Sequence, residues 1–252
     1  MEHVCRQVER HLHSILSLIG DVKDIGYAVL YSNQKIPTTE FNHAFKVNVP
    51  EFEADKLVGD VVRYYESIGA KPCFRISPTT RPQNLANYLR RQGFKLALEE
   101  DVMTYGVEDK SFKADSNVNV VTTDGNLTDV WNEIFIKSFE VPAVMRDAFS
   151  DMHKKVIQHK EIKPYLGYFQ GKPAGACALL SFNSVGGIFN VGTVQEHRGK
   201  GVATALLHAV ISDSLSIGND LLYLITTKGS NAERLYASLG FRLDHTLSRY
   251  ER

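Results

Sequence analysis

Apolar residues fall at Val4, Val8, Leu12, Ile15, Leu16 and Ile19, the spacing of one helical face, and Gly20 predicts the end of that helix. Strands are predicted at 27–31 and at 45–49, where Phe45, Val47 and Val49 alternate with Lys46 and Asn48 up to Pro50. Leu57, Val58, Val61, Val62 and Tyr65 predict a helix over 55–68, and a strand at 71–76 follows. A Ser-Pro-Thr-Thr-Arg-Pro breaker leads to a helix at 84–92 and a strand from 94 to 107. Residues 109–117 are polar and aperiodic and read as a linker. Beyond them the pattern gives a strand at 118–121, a helix at 126–139, a second helix from Pro142 to about 159, and strands at 165–169, 174–182 and 186–193. The helix from Val202 puts Val202, Leu206, Ala209 and Val210 on one face. The buried strand 221–225, a helix at 231–239 and a strand from 243 to about 250 complete the chain.

The densest chemistry lies between the strand ending at Thr193 and the helix beginning at Val202. Gly199 and Gly201 leave no side chains between the backbone and a ligand and let several amides converge. The helix that follows adds unpaired N–H groups and the positive end of its dipole, so the turn is a seat for a phosphate or pyrophosphate. It is not a Walker loop, because Gly192 and Gly199-Lys200 are too far apart and Gly201 follows the lysine. Nor is it a dinucleotide fingerprint, since Thr204 stands where the third glycine is required.

Arg198-x-x-Gly201-x-Ala203 resembles the pyrophosphate signature of the GNAT superfamily of N-acyltransferases. Asn231-Ala-Glu-Arg-Leu-Tyr236-Ala-Ser-Leu-Gly240-Phe241 resembles the same family's late helix, with its Leu-Tyr-x-x-x-Gly-Phe ending. The two segments occur in the family's order, separated by one helix and one strand. The resemblance implies an α/β (α+β) fold over 118–252. The first half carries an echo: residues 84–96 lie on 231–243 without a gap, matching Asn, Gly, Phe and the final Leu, although Leu89 replaces Tyr236. Before the helix at 55–68 stands Val-Pro-Glu-Phe-Glu-Ala-Asp, acidic and without glycine, which would repel a pyrophosphate. The expectation is therefore two tandem GNAT-like domains, each a mixed, mostly antiparallel sheet flanked by helices. They are a degenerate half at 1–109, a linker at 110–117, and an acyltransferase domain at 118–252. The alternative for the echo is a coincidental strand–helix–Gly-Phe–strand pattern.

Transfer of an acyl group from a thioester to an amine needs a held pyrophosphate, an aligned pantetheine arm, a proton for the leaving thiolate and a neutral amine. The resemblance implies acetyl-CoA (coenzyme A) as cofactor. Its phosphates would lie on Arg198, Gly199, Lys200, Gly201, Val202, Ala203 and Thr204, and its arm on main-chain groups of Val191, Gly192 and Thr193. Tyr236 matches the family's tyrosine facing the thiolate. Ordinary pKa values put full proton transfer from it uphill by about 1.5 units, or ~2 kcal/mol, so a strengthening hydrogen bond is the safer role. Asn231 either caps its helix or contacts the cofactor arm. The strand 186–193 carries no carboxylate, and among Glu133, Glu140, Glu196 and His197 none is assigned as base. By the resemblance, the segment from Phe135 through Phe139 and Glu140 to Met145 walls the acceptor pocket. Its composition suits a small, partly apolar amine.

The 252 residues carry a formal net charge of zero, which gives no bulk attraction to nucleic acid or an anionic membrane. Three scattered cysteines without metal spacing argue for a reducing compartment and no bound metal. No secretory pattern or membrane-length apolar run is present, so the expectation is a cytoplasmic protein, monomer or homodimer. His11-x-His13 reads as solvated. The expected function is acetyl-CoA-dependent N-acetyltransfer to the primary amine of a small molecule, amino acid or peptide. A longer-chain acyltransferase and a non-catalytic acyl-CoA-binding module are the alternatives.

Overall fold

The computed structural model of the protein describes residues 2–106, 117–123 and 126–252. Its first elements are α1 (Glu2–Ile19), β1 (Asp21–Asp24), β2 (Val29–Ser32), β3 (His43–Phe45), α2 (Ala54–Ser67), β4 (Cys73–Ile76), α3 (Leu85–Arg91) and β5 (Lys95–Tyr105). There follow β6 (Val118–Thr122), α4 (Thr128–Ser138), α5 (Arg146–Val156), β7 (Ile162–Phe169), β8 (Lys172–Phe182) and β9 (Val185–Thr193). The chain ends with α6 (Val202–Ile217), β10 (Leu221–Thr227), α7 (Asn231–Ser238) and β11 (Phe241–Glu251). Contacts divide it into two compact units, one of Met1–Met103, Thr226–Glu233 and Leu243–Arg252, the other of Thr104–Ile225 and Arg234–Arg242.

The first unit holds the strands in the order β1, β2, β3, β4, β11, β5. The β3–β4 contact is parallel, and β11 runs antiparallel to β4 with Arg249 opposite Arg75. The final strand, expected with the second domain, thus completes the sheet of the first unit, and the units do not follow the sequential division at 109 and 118. Of the expected linker, residues 110–116 lie outside the described residues. Strand β1 was not predicted, because all four of its residues are exposed and it carries no apolar alternation. Strand β3 stops at Phe45 instead of running to Val49, since Lys46 takes φ +53° and turns the chain out of extended geometry.

Packing in this unit follows the predicted faces. Leu57, Val58, Val61 and Val62 of α2 bury against Ala44, Phe74, Leu89 and Tyr250. His11 is buried, while the half-buried His13 has its Nδ1 2.7 Å from the Tyr31 hydroxyl, so His11 at least is an interior group and not the solvated residue the sequence suggested. Arg75 and Arg249 converge on the Glu100 carboxylate at 3.0 and 3.1 Å, and Arg249 also meets Glu40. Arg75, Arg249 and Glu100 are buried, and removing one of these three leaves an uncompensated charge.

The second unit orders its strands β10, β9, β8, β7, β6. All pairs are antiparallel except β9–β10. Helix α4 lies against β8 and β9, and Trp131 donates its indole N–H to the Cys177 carbonyl at 3.0 Å. Helix α6 lies on the opposite pleat of β7 and β8 across Gly167 and Gly175, where a Cβ would come 3.1 and 2.6 Å from Val202 Cγ1. Asp213 of α6 accepts from Lys163 at 2.5 Å and Tyr165 at 2.7 Å and fixes the helix lengthwise. No described helix is long and apolar enough to cross a membrane.

Gly175→Ala tests this close approach. The added methyl would also meet the Gly192 carbonyl at 2.8 Å. Overpacking against backbone predicts destabilisation of about 1–3 kcal/mol, read from the urea midpoint.

Candidate active site

Strand β9 pairs with β10 only from Val185–Leu221 to Ile188–Leu224, and beyond Ile188 it leaves that ladder. On its other side the register with β8 shifts between Ala176 and Ala178, and Asn190 takes the left-handed conformation at φ +57°. This is a β-bulge, which bends the strand and leaves local main-chain groups out of the ladder. Val191, Gly192 and Thr193 lie just past it. The side of Gly192 that would carry a Cβ is closed, because that atom would lie 2.7 Å from Ser138 Cβ and 2.9 Å from the Phe139 ring.

From Thr193 the chain makes a 3₁₀ turn at Gln195–His197, runs extended through Arg198, and enters α6. Gly199 and Gly201 take φ +75° and +78°, a conformation that costs an L-residue about 1–2 kcal/mol. Left-handed residues at alternate positions turn successive N–H groups to one side. The first bond of α6 runs from the Ala205 N–H to the Gly201 carbonyl at 2.9 Å, and by helix geometry the N–H groups of Val202, Ala203 and Thr204 project from its start. A 16-residue helix thus presents its positive end at this turn.

Lys200 is exposed, its amine 5.1 Å over the Phe169 ring. Arg198 is engaged by main-chain carbonyls. Its Nε donates to the Thr193 carbonyl and one terminal nitrogen to the Ser138 carbonyl, both at 3.2 Å. The same nitrogen lies 3.7 Å from the Glu140 carboxylate. The hydroxyls of Thr193 and Ser138 are buried with no hydrogen-bond partner among the described residues.

The segment expected to wall the acceptor pocket is divided. Phe135 is 7% exposed and packs on Trp131, Phe149 and His153, so it belongs to the core between α4 and α5. Phe139 is 47% exposed and Val144 91%. Glu140 takes φ +52° just past the end of α4, with its N–H directed to the Lys137 carbonyl and that of Val141 to Ile136, a Schellman ending built on a non-glycine. Among the other candidate bases, Glu133 pairs with Lys137 at 2.6 Å and Glu196 is exposed.

Tyr236 of α7 is buried, with its ring edge-on to Phe241. Burial pushes its hydroxyl up to about 12, and the Cys177 thiol adds to the shift. Asn231 opens α7 but does not cap it. Ser230 accepts from the Glu233 N–H at 3.1 Å, while the Glu233 carboxylate takes the Gly229 N–H, a close relative of the capping box. Asn231 falls in the first unit. Sequence reasoning missed Ser138, Asn190 and Cys177. Of these only Asn190 left a signal, an asparagine in mid-strand being well suited to left-handed backbone.

In the first unit a 3₁₀ turn at Glu51–Glu53 leads straight into α2 with no glycine turn between. The Glu51 carboxylate accepts from Asn84 at 2.5 Å and from the Tyr88 hydroxyl at 3.1 Å, and these bonds hold it below the usual carboxylate range. An anion there would meet a carboxylate.

Residues 165–250 match the family model of FR47-like proteins. No curated protein matches the chain in sequence. A GCN5-related N-acetyltransferase from Kribbella flavida superposes with a TM-score of 0.74 over 97% of this chain and 94% of that one, at 15% identity. Another from Sphaerobacter thermophilus gives 0.70 over 90% and 76%, at 17% identity. A tandem GNAT protein from the clavulanic acid biosynthesis pathway gives 0.62 over 89% and 78%, at 13% identity. The chain therefore has the fold of the GCN5-related N-acetyltransferases, and its FR47-like segment includes β9, the glycine turn, α6 and α7.

Proposed function

We propose that the protein is an acetyl-CoA-dependent N-acetyltransferase acting by direct transfer on the primary amine of a small, partly apolar molecule, amino acid or peptide. The observation that carries this reading is the turn at 198–204, where two left-handed glycines and the start of α6 gather amides beside a strand that has left its ladder. The residues fit the cofactor. Amides of Gly199 to Thr204 and the Lys200 amine would hold its phosphates, and main-chain groups of Val191 to Thr193 its arm. The orphaned Thr193 hydroxyl is a further partner for a polar group there. When bound, acetyl-CoA supplies an activated thioester whose thiol is the leaving group.

Tyr236 keeps its proton in this setting. A hydroxyl near 12 against a thiol of about 8.5 puts complete transfer uphill by about 3.5 units, roughly 5 kcal/mol. The tyrosine therefore acts as a hydrogen-bond donor to developing negative charge at sulfur. With no carboxylate on β9, the amine reaches the site already neutral, its proton lost to solvent. The closure of Gly192 by Ser138 and Phe139 favours a short acyl group over a long one.

Calorimetric titration of acetyl-CoA into the wild type and into Gly201→Glu tests the seat. One cofactor per chain is expected, with binding lost when a carboxylate enters the turn. Two per chain would give the first unit a seat of its own, and none would refute the reading. An amine library with thiol release as readout then identifies the acceptor. With that amine, Tyr236→Phe is expected to lower kcat about 10²-fold or more. The kcat/KM profile should rise with the amine's own ionisation and show no descending limb below about pH 10, because Tyr236 ionises only near 12. The same shift has a stability consequence. The fold favours the neutral hydroxyl, so stability falls as pH rises from the ordinary value of about 10 toward 12, and Tyr236→Phe should remove that part of the alkaline loss.

A further inference from the structure

We infer that Arg198 is a positioning residue for the loop bearing Phe139, Glu140 and Val144, and not a ligand of the phosphates. This rests on the acyltransferase reading and assigns the control of its acceptor side. The guanidinium joins three places at once: the end of β9 through the Thr193 carbonyl, the last residue of α4 through the Ser138 carbonyl, and the loop through Glu140. A cation on the final carbonyls of a helix complements its dipole. Glu140 holds φ +52°, a left-handed conformation that strains a residue with a side chain. The contact with Arg198 lies on that strained residue and offsets part of the cost.

The same bonds decide where the charge of Arg198 goes. Its Nε and one terminal nitrogen are taken by two carbonyls, with the Glu140 carboxylate 3.7 Å from the latter, which turns the fork toward the end of α4 and leaves the phosphates to the amides of Gly199 to Thr204 and to Lys200. The exposed apolar groups of the loop, Phe139 and Val144, are held relative to Gly192 by this tie. Lysine carries the same charge as a compact ammonium without the planar fork, and it cannot reach both carbonyls with fixed geometry. Arg198→Lys therefore separates charge from positioning.

The experiment uses full-length wild type, Arg198→Ala and Arg198→Lys, with coenzyme A as the calorimetric probe. Amide hydrogen exchange at Glu140 and Val141, read in the ligand-free proteins, is the second measurement. Both variants should bind coenzyme A within about threefold of wild type, while both amides exchange about tenfold faster or more. With the amine returned by the library screen, both should raise KM about tenfold with kcat within about threefold. The inference is overturned if Arg198→Ala weakens coenzyme A tenfold, Arg198→Lys restores it, and exchange stays unchanged. Wild type that binds no coenzyme A would refute the cofactor reading, while exchange in the ligand-free proteins would still support or overturn the tie.

Discussion

How closely α6 lies on its sheet decides the rest of the second unit. Gly167 and Gly175 bring Val202 and Leu206 down to the backbone of β7 and β8, leaving no room for a methyl at Gly175. Val202 is also the first residue of α6. The contact that seals the core and the helix end that gathers amides are therefore one construction. Asp213, bonded to Lys163 and Tyr165, stops the helix from sliding along the sheet. A helix held at both points presents its N–H groups in a fixed direction, which is what pre-organised recognition of an anion requires.

Strand β9 contributes by failing to pair. Its ladder with β10 ends at Ile188, and the bulge at Asn190 disturbs its register with β8. Backbone groups that a regular sheet would consume are thereby released beside the turn, where unpaired polar groups are expensive unless something meets them. Two left-handed non-glycine residues, Asn190 and Glu140, mark this region. Strain of this kind is kept where the surrounding structure determines it, and at Glu140 part of that determination comes from Arg198.

The first unit uses related parts to a different end. Its 3₁₀ turn enters α2 without a glycine turn, and Glu51 is bonded to Asn84 and Tyr88. Its interior holds charge, with Arg75 and Arg249 linked through Glu100, and Arg249 reaching the exposed Glu40. Because β11 supplies Arg249 and completes that sheet, the unit requires the last residues of the chain.

The sequence by itself determined most helices, the glycine turn before α6, the family of fold, and the acidic turn before α2. These follow from local rules: helical spacing along α2 and α6, the left-handed freedom of glycine, and the sign of the side chains at a helix start. Only tertiary structure decided where β11 pairs, that Phe135 is core while Phe139 is exposed, and that Arg198 faces two carbonyls. Each depends on which distant backbone a residue meets, and spacing along one chain carries no record of that. The burial that raises Tyr236 has the same character, since it is set by neighbours brought from other elements.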